Sequence, residues 1–119
     1  MSKELTAGEK AAFAANPAFA TAAQKESKQL TKKPDNDELL ALYGLYKVAC
    51  GEDVKEYQSG PKAPGMFDLK GKAKLRAWEG YVNEGLSAEE AQKQYIAKVE
   101  ELKTKYGFDP SKEPEVVGS

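Results

Sequence analysis

The 119-residue chain carries 18 basic and 19 acidic side chains, no histidine and a single cysteine, with 40% hydrophobic and 31% charged residues. It has room for one soluble, helix-rich domain with a modest core, and its net charge of −1 predicts no nucleic-acid or membrane partner. Without histidine it lacks the commonest general base and metal ligand, Cys50 has neither a disulfide partner nor an activating imidazole, and no acidic run has metal-loop spacing, so catalysis, a metal and a cofactor are all disfavoured.

Residues 1–15 read as an N-terminal extension. Its start lacks the continuous apolar segment of a signal peptide, and no stretch of the chain is long enough to span a bilayer, so a cytoplasmic setting is expected. Thr6-Ala-Gly-Glu9 matches a capping box, and a short helix or a frayed arm are equally open. Asn16-Pro17 is a cleaner start, a capping residue followed by proline at the first helical position. The helix that follows is expected to reach about Leu30, with Phe19, Ala23 and Leu30 on one narrow stripe. Lys28, Lys32 and Lys33 gather at its end, where the helix dipole alone accounts for them.

The run Leu39-Leu-Ala-Leu-Tyr-Gly-Leu-Tyr-Lys47 organises the next helix, capped by Asp35 or Asn36 and ending near Cys50-Gly51. At 100° per residue, Leu39, Leu42, Tyr43, Tyr46, Ala49 and Cys50 share a broad apolar face. Leu40 and Lys47 meet at its edge beside Tyr43. A core helix whose lysine snorkels to water explains this pattern; so does a surface that takes a ligand with an apolar and an anionic part.

Residues 51–66 form a long loop rich in glycine and proline, of the kind that is often functional. Met66 and Phe67 should anchor its end on the core. In Leu69-Lys-Gly-Lys-Ala-Lys-Leu-Arg-Ala-Trp78, Leu75, Trp78 and Val82 form the expected buried stripe, whereas Lys74 falls on its flank and must snorkel or meet an anion. Ser87-Ala-Glu-Glu90 opens the longest helix, with Ala88, Ala91, Tyr95, Val99, Leu102 and Tyr106 on one face and Gly107 as its stop. Residues 108–119 are expected to be a loosely ordered tail, apart from a contact through Phe108. The periods describe an all-α chain of four amphipathic helices and leave the four-helix topology open.

Three ordered blocks of this sequence resemble the acyl-CoA-binding protein family over roughly residues 17–107. They are the run from Leu39 to Lys47, then Pro64-Gly-Met-Phe-Asp-Leu-Lys-Gly-Lys-Ala-Lys74 with Ala77-Trp78, and lastly Ala91-Gln-Lys-Gln-Tyr-Ile-Ala-Lys-Val-Glu-Glu-Leu102 through Lys105-Tyr-Gly107. The resemblance implies an up-down-down-up four-helix bundle over residues 16–107, with a fatty acyl-CoA held in an open bowl. It implies that Tyr43 and Lys47 meet the adenine and phosphate end of coenzyme A, that Lys74 binds the 3′-phosphate, that Tyr95 completes that pocket and that Lys28 contributes. Leu39, Leu40 and Ala23 would line the acyl channel, with Met66 nearby and Leu75 beside it.

The function so implied is non-catalytic buffering and transport of medium- to long-chain acyl-CoA esters by a monomer, with transient contacts to membranes or acyl-CoA-using enzymes. The alternative is a helical protein-interaction module that has lost the ligand, and a hydrolase or transferase built on Cys50 is a distant third. The chain departs from the family's pattern in four places. Leu75 stands where a tryptophan is common, the loop before Pro64 is longer, Phe19 is displaced by one residue relative to Leu30, and the N-terminal extension has no counterpart in the minimal domain.

Overall fold

Helix starts in this chain are set by short side chains that satisfy the first free backbone N–H groups. In the computed structural model, which describes residues 4–112, Thr6 and Glu9 close a capping box over α1 (Ala7–Ala15). Asn16 accepts from the Phe19 N–H at 3.1 Å and starts α2 (Pro17–Gln24). Asp35 and Glu38 form a second reciprocal box at α3 (Asn36–Ala49). After α4 (Lys55–Gln58), Asp68 caps α5 (Leu69–Asn83) through the Gly71 N–H at 2.9 Å. Ser87 caps α6 (Ala88–Tyr106) through the Glu90 N–H; only that half of the expected box forms.

Polar contacts fix the senses of three helices. Asn16 donates to Gln92 near the starts of α2 and α6, while Glu26 pairs with Lys103 at 2.8 Å near their far ends, so these two run parallel. Gln92 also donates to the Ala49 carbonyl at 3.1 Å, and Lys105 to Glu38 at 2.8 Å, so α3 runs against α6. These are the senses that an up-down-down-up arrangement requires of its first, second and last helices. α3 is central, packed on α6 and on α5. The Tyr81 ring approaches Gly44 so closely that a Cβ there would lie 2.8 Å from it. Phe19, Trp78, Val99 and Leu102 are the largest fully buried side chains.

Several expectations change. α2 stops at Gln24, and a 3-10 turn (Glu26–Lys28) follows. Leu30 is nonetheless buried, because it leaves the helix to form a bridge with Phe108. Gln29 donates to the carbonyls of Pro110 and Lys112 at 3.1 and 3.0 Å, and Lys112 donates to that of Leu30 at 3.0 Å, so residues 108–112 are stitched to this turn rather than loose. The rest of the tail, 113–119, lies outside the described residues.

The N-terminal segment is a docked helix. Ala12 is buried, Phe13 lies 5.5 Å from the Phe19 ring, and Tyr46 donates its hydroxyl to Glu9. On α5, Val82 is 40% exposed instead of buried, because α5 packs chiefly on α3 and turns only a narrow stripe inward. Met66 and Phe67 do not anchor the loop either; they are 77% and 90% exposed.

Candidate functional site

α3 carries two tyrosines three residues apart, and the fold sends them to different neighbourhoods. Tyr46 joins Phe13, Phe19 and Tyr95 in an aromatic core, with centroids 5.8 Å from Phe19 and 6.0 Å from Tyr95. Tyr43 faces a cavity of about 260 Å³ between α3, the 51–66 loop and the start of α5. The cavity walls include Tyr43, Tyr57, Lys62, Lys74, Leu75 and Trp78.

Cations and rings alternate around this cavity. Lys74 Nζ lies 5.4 Å from the Tyr43 centroid, and Lys47 Nζ lies 5.6 Å from it. Lys47 also sits 5.1 Å from Tyr57 and 5.7 Å from Trp78, within the range of cation–π attraction. Its ammonium donates to Glu52 at 2.9 Å, and the Tyr57 hydroxyl donates to the other Glu52 oxygen at 3.2 Å. Burial pulls the Lys47 pKa down, but the Glu52 bond and charge outweigh it and hold the amine above its ordinary value. Burial also pushes the Tyr43 phenol upward, against the opposing pull of Lys47. Both groups keep their protons at neutral pH: Lys47 is a fixed cation and Tyr43 a neutral ring. Buried Trp78 Nε1–H has no hydrogen-bond partner among the described residues.

The expected head-group residues Tyr43, Lys47 and Lys74 therefore converge on the Tyr43 ring; Tyr43, Lys74 and Leu75 line the cavity, whereas Lys47 is not part of its wall. The others stand elsewhere. Tyr95 is 5% exposed and edge-on to Phe19 at 5.2 Å. Lys28 closes the 3-10 turn after α2, and Ala23 is buried on α2. Leu40 lines a second hollow of about 280 Å³ with Asp37, Ala41, Ala77, Gly80, Tyr81 and Glu84. Leu39 is half-buried on α3. Met66 sits at the rim, its carbonyl accepting from Lys72 at 2.7 Å.

Three residues that shape the site were not anticipated: Glu52, Tyr57 and Lys62. All belong to the loop whose length already marked it as functional, and the helix-compatible stretch Lys55-Glu-Tyr-Gln58 inside it was the available signal. Cys50 offers no alternative chemistry. It is buried at the C-cap of α3, and burial pushes its thiol up to about 12, so at neutral pH it is no thiolate nucleophile. Among the described residues no group of three or more acidic or cysteine side chains is placed to hold a metal, and no helix is long and apolar enough to cross a membrane.

Residues 16–99 match the family model described as "Acyl CoA binding protein". The chain is 50% identical over 81 residues to the Caenorhabditis elegans protein named acyl-CoA-binding protein homolog 1, covering 67% of this chain and 85% of that one. It is 46% identical over 85 residues to the Drosophila melanogaster acyl-CoA-binding protein homolog, covering 71% of this chain and 91% of the fly protein.

Proposed function

The chain belongs to the acyl-CoA-binding protein family, and on that premise we propose that it is a carrier for medium- to long-chain fatty acyl-CoA esters, with the coenzyme A head in the cavity beside Tyr43. As a member of that family it binds acyl-CoA and is not an enzyme. The finer reading is carried by one observation: the ammoniums of Lys47 and Lys74 both lie within 5.6 Å of the centroid of Tyr43, a ring that lines an open cavity together with Lys74.

A coenzyme A head combines a flat purine with a pyrophosphate and a 3′-phosphate. The Tyr43 ring offers a stacking surface, and the two lysines offer charge-assisted donors to phosphate oxygens. Exposed Met66, Phe67 and Leu69 flank the cavity residues Gly65 and Asp68 and give apolar surface near its mouth. The acyl chain takes the apolar edge of α3 at Leu39 and Leu40, each buried methylene contributing up to ~0.8 kcal/mol. Long chains bind more tightly until that surface ends. One ester binds per monomer, held in the cytosol for delivery to enzymes or membranes.

Titration calorimetry with palmitoyl-CoA, coenzyme A and palmitate tests the reading. The intact ester binds one to one and more tightly than either fragment, because neither fragment engages both the cations and the apolar edge. Equal affinity for the ester and one of its fragments would overturn it.

A further inference from the structure

We propose that Lys62, on the loop between α3 and α5, is a third cationic ligand for the anionic head, held for that purpose over the ring of Tyr57. The inference rests on the acyl-CoA reading above and names a residue that the three matched blocks of sequence do not contain.

The charges around the cavity carry the argument. Lys47 is neutralised by Glu52 at 2.9 Å, with both side chains largely withdrawn from water. Of the residues that line the cavity itself, Lys74 and Asp68 carry opposite formal charges, so without Lys62 the lining sums to zero. Without another cation the site would present no net positive charge to a ligand carrying several negative ones, and desolvating those phosphates would be poorly compensated. Lys62 supplies the surplus. It lines the same cavity, and its Nζ stands 5.5 Å from the Tyr57 centroid. Its acidic neighbour, Glu56, is 3.9 Å away, and both side chains are more than half exposed, a geometry in which an ion pair holds its lysine weakly. The Lys62 ammonium is therefore less committed to its acid than the Lys47 ammonium, which would share its N–H donors between Glu52 and a phosphate.

Tyr57 is the positioning residue. Its ring lies 5.0 Å from Trp78 and its hydroxyl is tied to Glu52, so the platform beneath Lys62 is anchored to the core. The long loop, on this account, extends the binding site and brings its last cation into place.

The test compares palmitoyl-CoA affinity in wild type, Lys62→Ala, Lys62→Arg and Lys55→Ala, at low and high salt. Lys55 is an exposed cation of the same loop that does not line the cavity. Lys62→Ala is expected to weaken binding about two- to fivefold at low salt, the scale of a solvent-exposed charge contact, with a smaller loss at high salt. Lys62→Arg retains affinity, and Lys55→Ala leaves it unchanged. An unaltered affinity in Lys62→Ala, or an equal loss in Lys55→Ala, overturns the proposal while the acyl-CoA reading stands. Failure of the wild type to bind the ester overturns that reading instead. Lys62 is exposed enough that its replacement should leave the melting temperature unchanged, which a thermal scan of each variant checks.

Discussion

Two aromatic clusters flank α3, and they are built for opposite ends. On one side Phe13, Phe19, Tyr46 and Tyr95 pack ring against ring, with centroids 5.2 to 6.4 Å apart and the Tyr46 hydroxyl turned to Glu9. On the other, Tyr43, Tyr57 and Trp78 line an open cavity with Lys62 and Lys74, and Lys47 lies within 5.7 Å of all three ring centroids. Ring–ring packing fills space and removes water. Ring–cation alternation keeps charge at the surface of a hollow and leaves it open to an anion. The same residue type, three positions apart on one helix, serves both, and what separates the two is whether the neighbouring elements bring rings or ammoniums.

The sharpest break of the first cluster is Phe19→Ala. Phe19 is fully buried, touches three other rings and sits on the helix that joins α1 to α6. Its truncation should destabilise the domain by about 3–5 kcal/mol, the usual range for a buried Phe→Ala change, measurable by urea unfolding. If the ring–ring cluster were peripheral, the loss would fall well below 1 kcal/mol.

A smaller effect sharpens the structural role of the α3–α6 seam on which that cluster rests. Lys105 and then Tyr106 hold the Glu38 carboxyl at about 2, well below its ordinary 4.5. A depressed carboxylate stabilises the fold fully above its unfolded value and loses that contribution as pH falls toward the folded value. Melting temperature should therefore decline between about pH 4.5 and pH 2, and Glu38→Gln should flatten that part of the profile. A wild-type and variant pair with parallel acid limbs would remove Glu38 from the account.

Much of this division was readable in the sequence. Short capping side chains and glycine stops placed the helix ends because they answer a local demand, the unpaired groups of a terminus. Gly107, at a φ of 84°, ends α6 where a side chain would be strained. What local pattern could not show was partnership across the fold. Tyr95 shares a helical face with Val99 and Leu102, and the same period fits a core ring and a pocket ring equally well. The docking of α2 against α6 places it beside Phe19.

The spacing of Leu30 from Phe19 and Ala23 suits a helix, yet its burial comes from pairing with Phe108, a non-local contact. Tyr57 and Lys62 lay hidden in a loop because α4 is only four residues long, below the length at which periodicity speaks. Hydrophobicity alone makes Met66 and Phe67 look like anchors. Their exposure beside a cavity instead marks them as surface available to a ligand.

The division of labour on α3 is tested most directly by one measurement, the palmitoyl-CoA affinity of Tyr43→Leu set against that of Tyr46→Leu. Leucine keeps apolar bulk at both positions and removes the ring from each. The account predicts that Tyr43→Leu binds about tenfold more weakly, a loss of about 1.4 kcal/mol, while Tyr46→Leu stays within about twofold of wild type. Equal losses, or a larger loss at Tyr46, would contradict it and place the ligand on the opposite side of the helix.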